Sequence, residues 1–211
     1  MVRLAIKCGV RIIEVNFGCP NLVDKGVQKP IFSYDLEMMA EILSHILSEI
    51  VDSNVVLWIK VSPQGDPHQI PRMAKLFSTT RHVAAVVTTN TFPNGFGYKD
   101  NGKSMIDPNG GLGGISGPAM FPIGMGQVRQ WRLALDHLES PIAVIGVGGI
   151  GNGRQVMEYG DAGAKLVQVG TAYFTHRPEK EDMKEEIFEL LLHQMDAEVE
   201  RRAALQGELT K

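Results

Sequence analysis

"RIIEVNFGCPN", residues 11–21, decides how the rest of the chain is read. Its first seven residues are mostly apolar and β-prone. The run then breaks into a glycine, a lone cysteine and a proline, flanked by Asn16 and Asn21. Such a pattern predicts a buried strand that ends in a loop carrying polar and reactive groups.

Four more runs of this kind follow: "NVVLWIKVS" (54–62), "VAAVVTTN" (83–90), "PIAVIGV" (141–147) and "AKLVQVGT" (164–171). Short, nearly continuous β-branched runs fit strands covered on both faces, as in a parallel sheet. Helix-period stretches lie between them. One is 35–50, with Leu36, Met39, Ala40, Leu43, Leu47 and Ile50 on one face. Others are 68–79, 118–137, 153–160 and a longer one over about 179–205, with Ile187, Leu190, Leu191 and Met195. "MVRLAIKCG" (1–9) reads as the tail of a helix. Strand, loop and helix repeated five times predict βα units around a parallel sheet. With no internal repeat, low-complexity tract or linker, residues 1–211 are expected to form one α/β domain. The long segment 91–117 is expected to be irregular, a lid or binding loop, with a disordered insertion as the alternative.

Bulk properties narrow the function. The 211 residues are 44% hydrophobic and 21% charged, as in an ordinary globular protein. A net charge of −3 gives no electrostatic reason to expect nucleic acid or an anionic membrane surface as partner. No apolar run approaches the roughly 18 residues of a spanning helix. Two cysteines, Cys8 and Cys19, do not make a disulfide framework, so a reducing cytoplasm is the expected setting. The six histidines are scattered and there is no C-x-x-C, so no metal site is expected.

The distinctive residues fall in loops that follow strands. Gly146, Gly148 and Gly151 match G-x-G-x-x-G, yet the next strand ends in "QVGTA", without the carboxylate that a dinucleotide site places there. A dinucleotide turn is therefore rejected. "GVGGIGNG" and "VGTAYF" instead follow the last two strands, where barrels often bind phosphate. Backbone N–H groups of Gly148, Gly149, Gly170 and Thr171 are the candidates, two ordinary glycine turns being the alternative. Lys60 ends a buried run, so its ammonium either reaches the rim or points into a site. With Asn16, Asn21 and Asn90 at neighbouring strand ends, it outlines a pocket for a planar polar ligand. Cys19 in isolation is a small hydrophobe, but its loop setting points to chemistry. Cys8 is read as packing. A closed eight-stranded barrel usually takes about 250 residues, so five units leave barrel and open sheet both possible on these grounds.

Taken in order, "EVNFGCPN", "IKVSP", "TNT", "GGISG", "VIGVGGI" and "VQVGTA" resemble the dihydroorotate dehydrogenases, FMN enzymes on a TIM (β/α)8 barrel. The resemblance runs from the fourth barrel strand to the last helix, so about five C-terminal βα units are expected. It implies that Cys19 is the catalytic base, as in the soluble class 1 enzymes. Cys19 would take a proton from C5 of dihydroorotate while hydride passes from C6 to FMN, with turnover rising as the thiol ionises. Asn16, Asn21, Asn90 and Thr91 match residues that hold the pyrimidine. Asn16, Lys60 and Thr89 match the flavin-ring contacts, and Gly117, Gly148, Gly149, Gly170 and Thr171 match the FMN and phosphate loops.

Two departures accompany the match. Gly18 stands where family members usually have Ser, which leaves the hydrogen bonding around the cysteine open. The first three βα units are missing, so the chain is expected to be N-terminally incomplete, with open edges that favour a homodimer. The alternatives are a dihydropyrimidine dehydrogenase-like flavoenzyme and a non-catalytic FMN-binding fragment. The electron acceptor, fumarate or NAD through a partner subunit, stays open.

Overall fold

The computed structural model describes residues 1–24, 27–107, 109–176 and 186–209. In chain order its helices are α1 (Val2–Lys7), α2 (Leu36–Ile50), α3 (Gln69–Thr79), α4 (Phe121–His137), α5 (Gly153–Ala162), α6 (Thr171–Thr175) and α7 (Glu186–Leu209). The strands are β1 (Ile12–Asn16), β2 (Val23–Asp24), β3 (Val27–Gln28), β4 (Val56–Val61), β5 (Val83–Thr88), β6 (Phe92–Gly95), β7 (Gly113–Ile115), β8 (Ala143–Val147) and β9 (Leu166–Gln168).

β1, β4, β5, β8 and β9 form one parallel sheet in that order. Each new strand joins on the same side as the last, and the order never reverses. A doubly wound sheet reverses at a switch point; a barrel wall does not. Curvature decides the matter. Five flat strands would set the two edges about 19 Å apart, four spacings of ~4.8 Å. Yet Gln168 on edge strand β9 donates from Nε2 to Glu14 Oε2 on edge strand β1 at 2.6 Å. The sheet must curl for those side chains to meet, so the five units form an arc of a β/α barrel.

The strands read as continuous apolar runs because both of their faces are used. Leu57, Ile59 and Val61 of β4 are fully buried against the helices, in a core with Met39, Leu43, Phe77, Val86, Trp131 and Val144. Phe77 and Trp131 stack there in parallel with ring centroids 5.7 Å apart. The concave face holds a smaller cluster of Ala85, Val87 and Ile145, packed by Trp58, Ala143 and Val147. Towards both edges this inner face opens, leaving Ile12 and Leu166 exposed. Helix starts follow local chemistry: Asp35 accepts from Met38 N at 3.0 Å to cap α2, and Asn152 accepts from Gln155 N at 3.0 Å to cap α5.

Three expectations change. Segment 91–117 is only partly irregular, for at its two ends β6 pairs antiparallel with β7, and Tyr98 bridges to Ser104 between them. Its glycines masked the strand signal but serve the pairing, since a side chain at Gly95 would run into Ile115. The loop "VGTAYF" winds into α6. Cys8 is exposed rather than packed, because α1 buries none of its residues. The long C-terminal helix is described from Glu186; residues 179–185 lie outside the described residues. No helix among the described residues is long and apolar enough to cross a membrane.

α7 docks on α5: Gly153 N donates to Gln194 Oε1 at 2.8 Å, and Arg202 pairs with Asp161 at 2.7 Å. Hydrogen bonds from Arg201 and then Arg202 hold the Glu198 carboxyl down to about 2. A carboxyl lowered on folding contributes stability above its unfolded pKa and loses it as pH falls through the folded value. Glu198→Gln should therefore flatten the acid side of the stability profile between about pH 4.5 and 2. Urea titrations at stepped pH check this, and an unchanged slope would count against the clamp.

Candidate functional site

The parallel strands bring their C-terminal ends to one rim, and a cavity of about 440 Å³ opens there. Its walls come from Lys60 on β4, Thr89, Asn90 and Thr91 after β5, and Ser116 and Gly117 after β7. The turn Gly148–Gly151 and the stretch Gln168, Gly170 and Thr171 complete it. The volume falls in the range of about 300–1,000 Å³ usual for pockets of small organic ligands. Lines of chain more than a hundred residues apart thus supply one wall each.

One end of the cavity is backbone. Gly148 and Gly149 take φ of 125° and 71°, and a side chain at Gly149 would collide with Phe121. The turn is tied from below, where Tyr159 Oη donates to Gly148 O at 2.7 Å. Burial pushes the Tyr159 phenol up, which keeps it a donor. Its ring fits only because Gly146 and Gly124 lack side chains, which would strike it. Gly151 N donates to Gln155 Oε1 at 2.8 Å, within its own helix start. The three glycines of G-x-G-x-x-G thus serve packing, a turn and a helix start. Gly117, with φ of 81°, lies close against Thr171, and Thr171 Oγ1 donates to Ser116 Oγ at 3.0 Å.

The other end is polar. Lys60 Nζ lies 3.2 Å from Gln168 Oε1 and 3.3 Å from Glu14 Oε1, so its ammonium points into the site rather than to the rim. Sequence reasoning passed over Glu14 and Gln168. The available signal was period two: Glu14 shares a strand face with Asn16, and a carboxylate in an apolar run asks for a partner. Thr89 Oγ1 is buried and has no partner among the described residues. An orphaned hydroxyl and a side-chain-free turn at one cavity fit a planar ligand carrying a phosphate.

Beside the cavity sits the cysteine loop. Asn16 Oδ1 accepts from Asn90 Nδ2 at 2.8 Å and from Gly18 N at 2.9 Å, and Asn90 Oδ1 accepts from Thr91 N at 2.8 Å. Gly18 lies flat against the end of β4, where a Cβ would fall 2.7 Å from Ser62 N and 2.8 Å from Val61 C. Fully buried Ser62 donates from Oγ to Gly18 O at 3.0 Å, while its N–H donates to Ser33 Oγ at 3.1 Å. On the far side of Cys19, Pro20 O accepts from Gln28 Nε2 at 2.7 Å. Cys19 itself is half-buried. The β6–β7 arm rests on this loop, since a Cβ at Gly114 would strike Thr91 and lie 3.3 Å from Pro20.

Of the residues singled out in the sequence, Lys60, Thr89, Asn90, Thr91, Gly117, Gly148, Gly149, Gly170 and Thr171 line the cavity. Asn16 joins through Asn90. Cys19 stands beside it, and Asn21 is exposed on the loop without lining the cavity. Among the described residues no group of three or more His, Cys, Asp or Glu is placed to hold a metal ion.

Comparison with known proteins points one way. The family model described as "Dihydroorotate dehydrogenase" matches residues 2–191. A putative dihydroorotate dehydrogenase A (fumarate) of Streptococcus agalactiae is 34% identical over 168 residues, 80% of this chain and 50% of that protein. The catalytic subunit of a dihydroorotate dehydrogenase B (NAD(+)) of Staphylococcus carnosus is 33% identical over 167 residues, 78% of this chain and 48% of that one. The chain therefore spans about half the length of the curated relatives it matches. A crystal structure of DHODH from Eimeria tenella in complex with ferulenol superposes with a TM-score of 0.68 at 16% identity, covering 96% of this chain and 55% of that one. It shares the fold.

The close seat of Gly18 makes a direct prediction. Gly18→Ser, or Gly18→Ala, forces a Cβ into backbone atoms and should lower stability by about 1–3 kcal/mol, the cost of overpacking. Urea unfolding measures it, and a variant as stable as the parent would disprove the fit.

Proposed function

The chain belongs to the dihydroorotate dehydrogenase family, and we propose that it forms the flavin- and pyrimidine-binding part of an FMN enzyme that oxidises dihydroorotate to orotate. The observation that carries this reading is the two-ended cavity, with Lys60 at one end and the Gly148–Gly149 turn at the other, next to the pinned Cys19 loop. Residues 1–211 act in it as one domain.

Gly117, Gly148, Gly149, Gly170 and Thr171 hold the phosphate end of the cofactor, chiefly through backbone N–H groups. Lys60, Thr89 and Asn16 meet its ring. When bound, FMN supplies the acceptor for the hydride that leaves C6 of the substrate. Asn16, Asn21, Asn90 and Thr91 orient the pyrimidine through amide and hydroxyl groups, which match the alternating N–H and C=O edge of such a ring. Cys19, as thiolate, takes the proton from C5. The β6–β7 arm covers the loop and keeps water from the reacting carbons. A reducing cytoplasm would keep the Cys19 thiol free for this task. The exposed apolar residues at the sheet edges, Ile12 and Leu166, support association with a second copy.

The test is spectroscopic. FMN added to the purified protein should be retained, and its visible absorbance should bleach on anaerobic addition of dihydroorotate. Retained flavin that stays oxidised would overturn the dehydrogenase reading and leave a binding protein. Cys19→Ser should keep the flavin but slow its reduction about 10²- to 10⁴-fold at neutral pH, the usual weight of a general base. Equal rates for parent and Cys19→Ser would remove Cys19 from the chemistry.

A further inference from the structure

Glu14 has no place in the scheme above and does not itself line the cavity, yet it contacts both Lys60 and Gln168, which do. It comes from β1, its partner Gln168 from β9 at the opposite edge of the sheet, and both converge on the ammonium of Lys60 from β4. The Gln168 amide is used at both ends: its carbonyl accepts from Lys60 at 3.2 Å and its nitrogen donates to Glu14 at 2.6 Å. With the Lys60–Glu14 contact of 3.3 Å the three side chains close a ring. The charged pair keeps only 21% and 29% of its side-chain surface, so solvent screens it in part. Among the described residues, Lys60 is the one lysine or arginine lining the cavity. Glu14 therefore decides whether a ligand there meets a cation or a neutral pair.

We propose that Glu14 is a positioning residue, one that fixes the Lys60 ammonium at the polar end of the cavity, offsets its charge, and thereby lowers the tendency of a flavin bound there to accept electrons. The inference rests on the FMN reading. A flavin gains negative charge on reduction, so a bare ammonium beside it favours the reduced form and a carboxylate paired with that ammonium weakens the effect. Gln168 carries the two charges at fixed spacing, which makes the neutralisation a property of the folded sheet and not of two mobile side chains.

The test compares the FMN-loaded full chain with Glu14→Gln, Glu14→Asp and the surface control Glu41→Gln by anaerobic redox titration, with FMN affinity from fluorescence quenching. Glu14→Gln keeps a side chain of the same size and removes the charge. Its potential should rise by about 30 mV or more, a tenfold change in a two-electron equilibrium. Glu41→Gln should not move. Glu14→Asp, which withdraws the carboxylate without deleting it, should give a smaller rise, and it carries the test alone if Glu14→Gln does not fold. FMN bound with an unchanged potential in both Glu14 variants would overturn the role of Glu14 and leave the flavin reading standing. A parent protein that binds no FMN would overturn both.

Discussion

Everything at the site depends on the curl of the parallel sheet. Five strands that all run one way carry their loops to one rim, but a flat sheet would spread those loops along a line. Curvature turns the line into a ring. The Gln168–Glu14 hydrogen bond, which joins the two edge strands across the concave face, is the most direct expression of that curvature. It also sets the position of Lys60, so the constraint that shapes the barrel arc is the one that places charge in the cavity.

Absence of side chains matters as much as their presence. Tyr159 occupies the space that Gly124 and Gly146 leave, and its hydroxyl holds the carbonyl of Gly148. Gly149 then turns its backbone against Phe121. The cradle at the cavity is thus rigid because a buried phenol supports it from beneath, and its glycines are needed for packing as well as for φ. A similar economy governs the cysteine loop. Gly18 can lie on the end of β4 only because it has no Cβ, and Ser62 then reaches its carbonyl. The backbone of Gly18 is held by Asn16, which accepts from its N–H, and by Ser62, which donates to its carbonyl.

The charged and polar groups divide by the surface they serve. On the outer layer, Glu198 gathers Arg201 and Arg202 and, through Arg202 and Asp161, seats α7 on α5. Inside, Asn16, Asn90 and Thr91 form a chain of amides that links the strand ends around the cavity. Neither set is apparent from charge composition, because a net charge of −3 averages over both.

Much of this was legible in the residues alone. Continuous β-branched runs and helix-period stretches mark the five principal strands and the helices between them to within a few residues, because burial on two faces and on one stripe leave different periods. Cavity-lining residues such as Lys60, Asn90 and Gly148 could be named for a local reason: each ends a strand or forms its first turn, and a parallel sheet sends those positions to one side. The arm over 92–115 was illegible because glycine carries no β signal, and its strands exist only by pairing with each other. Glu14 and Gln168 were illegible for a stronger reason. They are 154 residues apart, on opposite edges of the sheet, and no local pattern reports how far a sheet curls. The sequence by itself determined which positions face the concave side of each strand. Only the tertiary structure decided which of them meet, since that depends on a curvature to which every strand contributes.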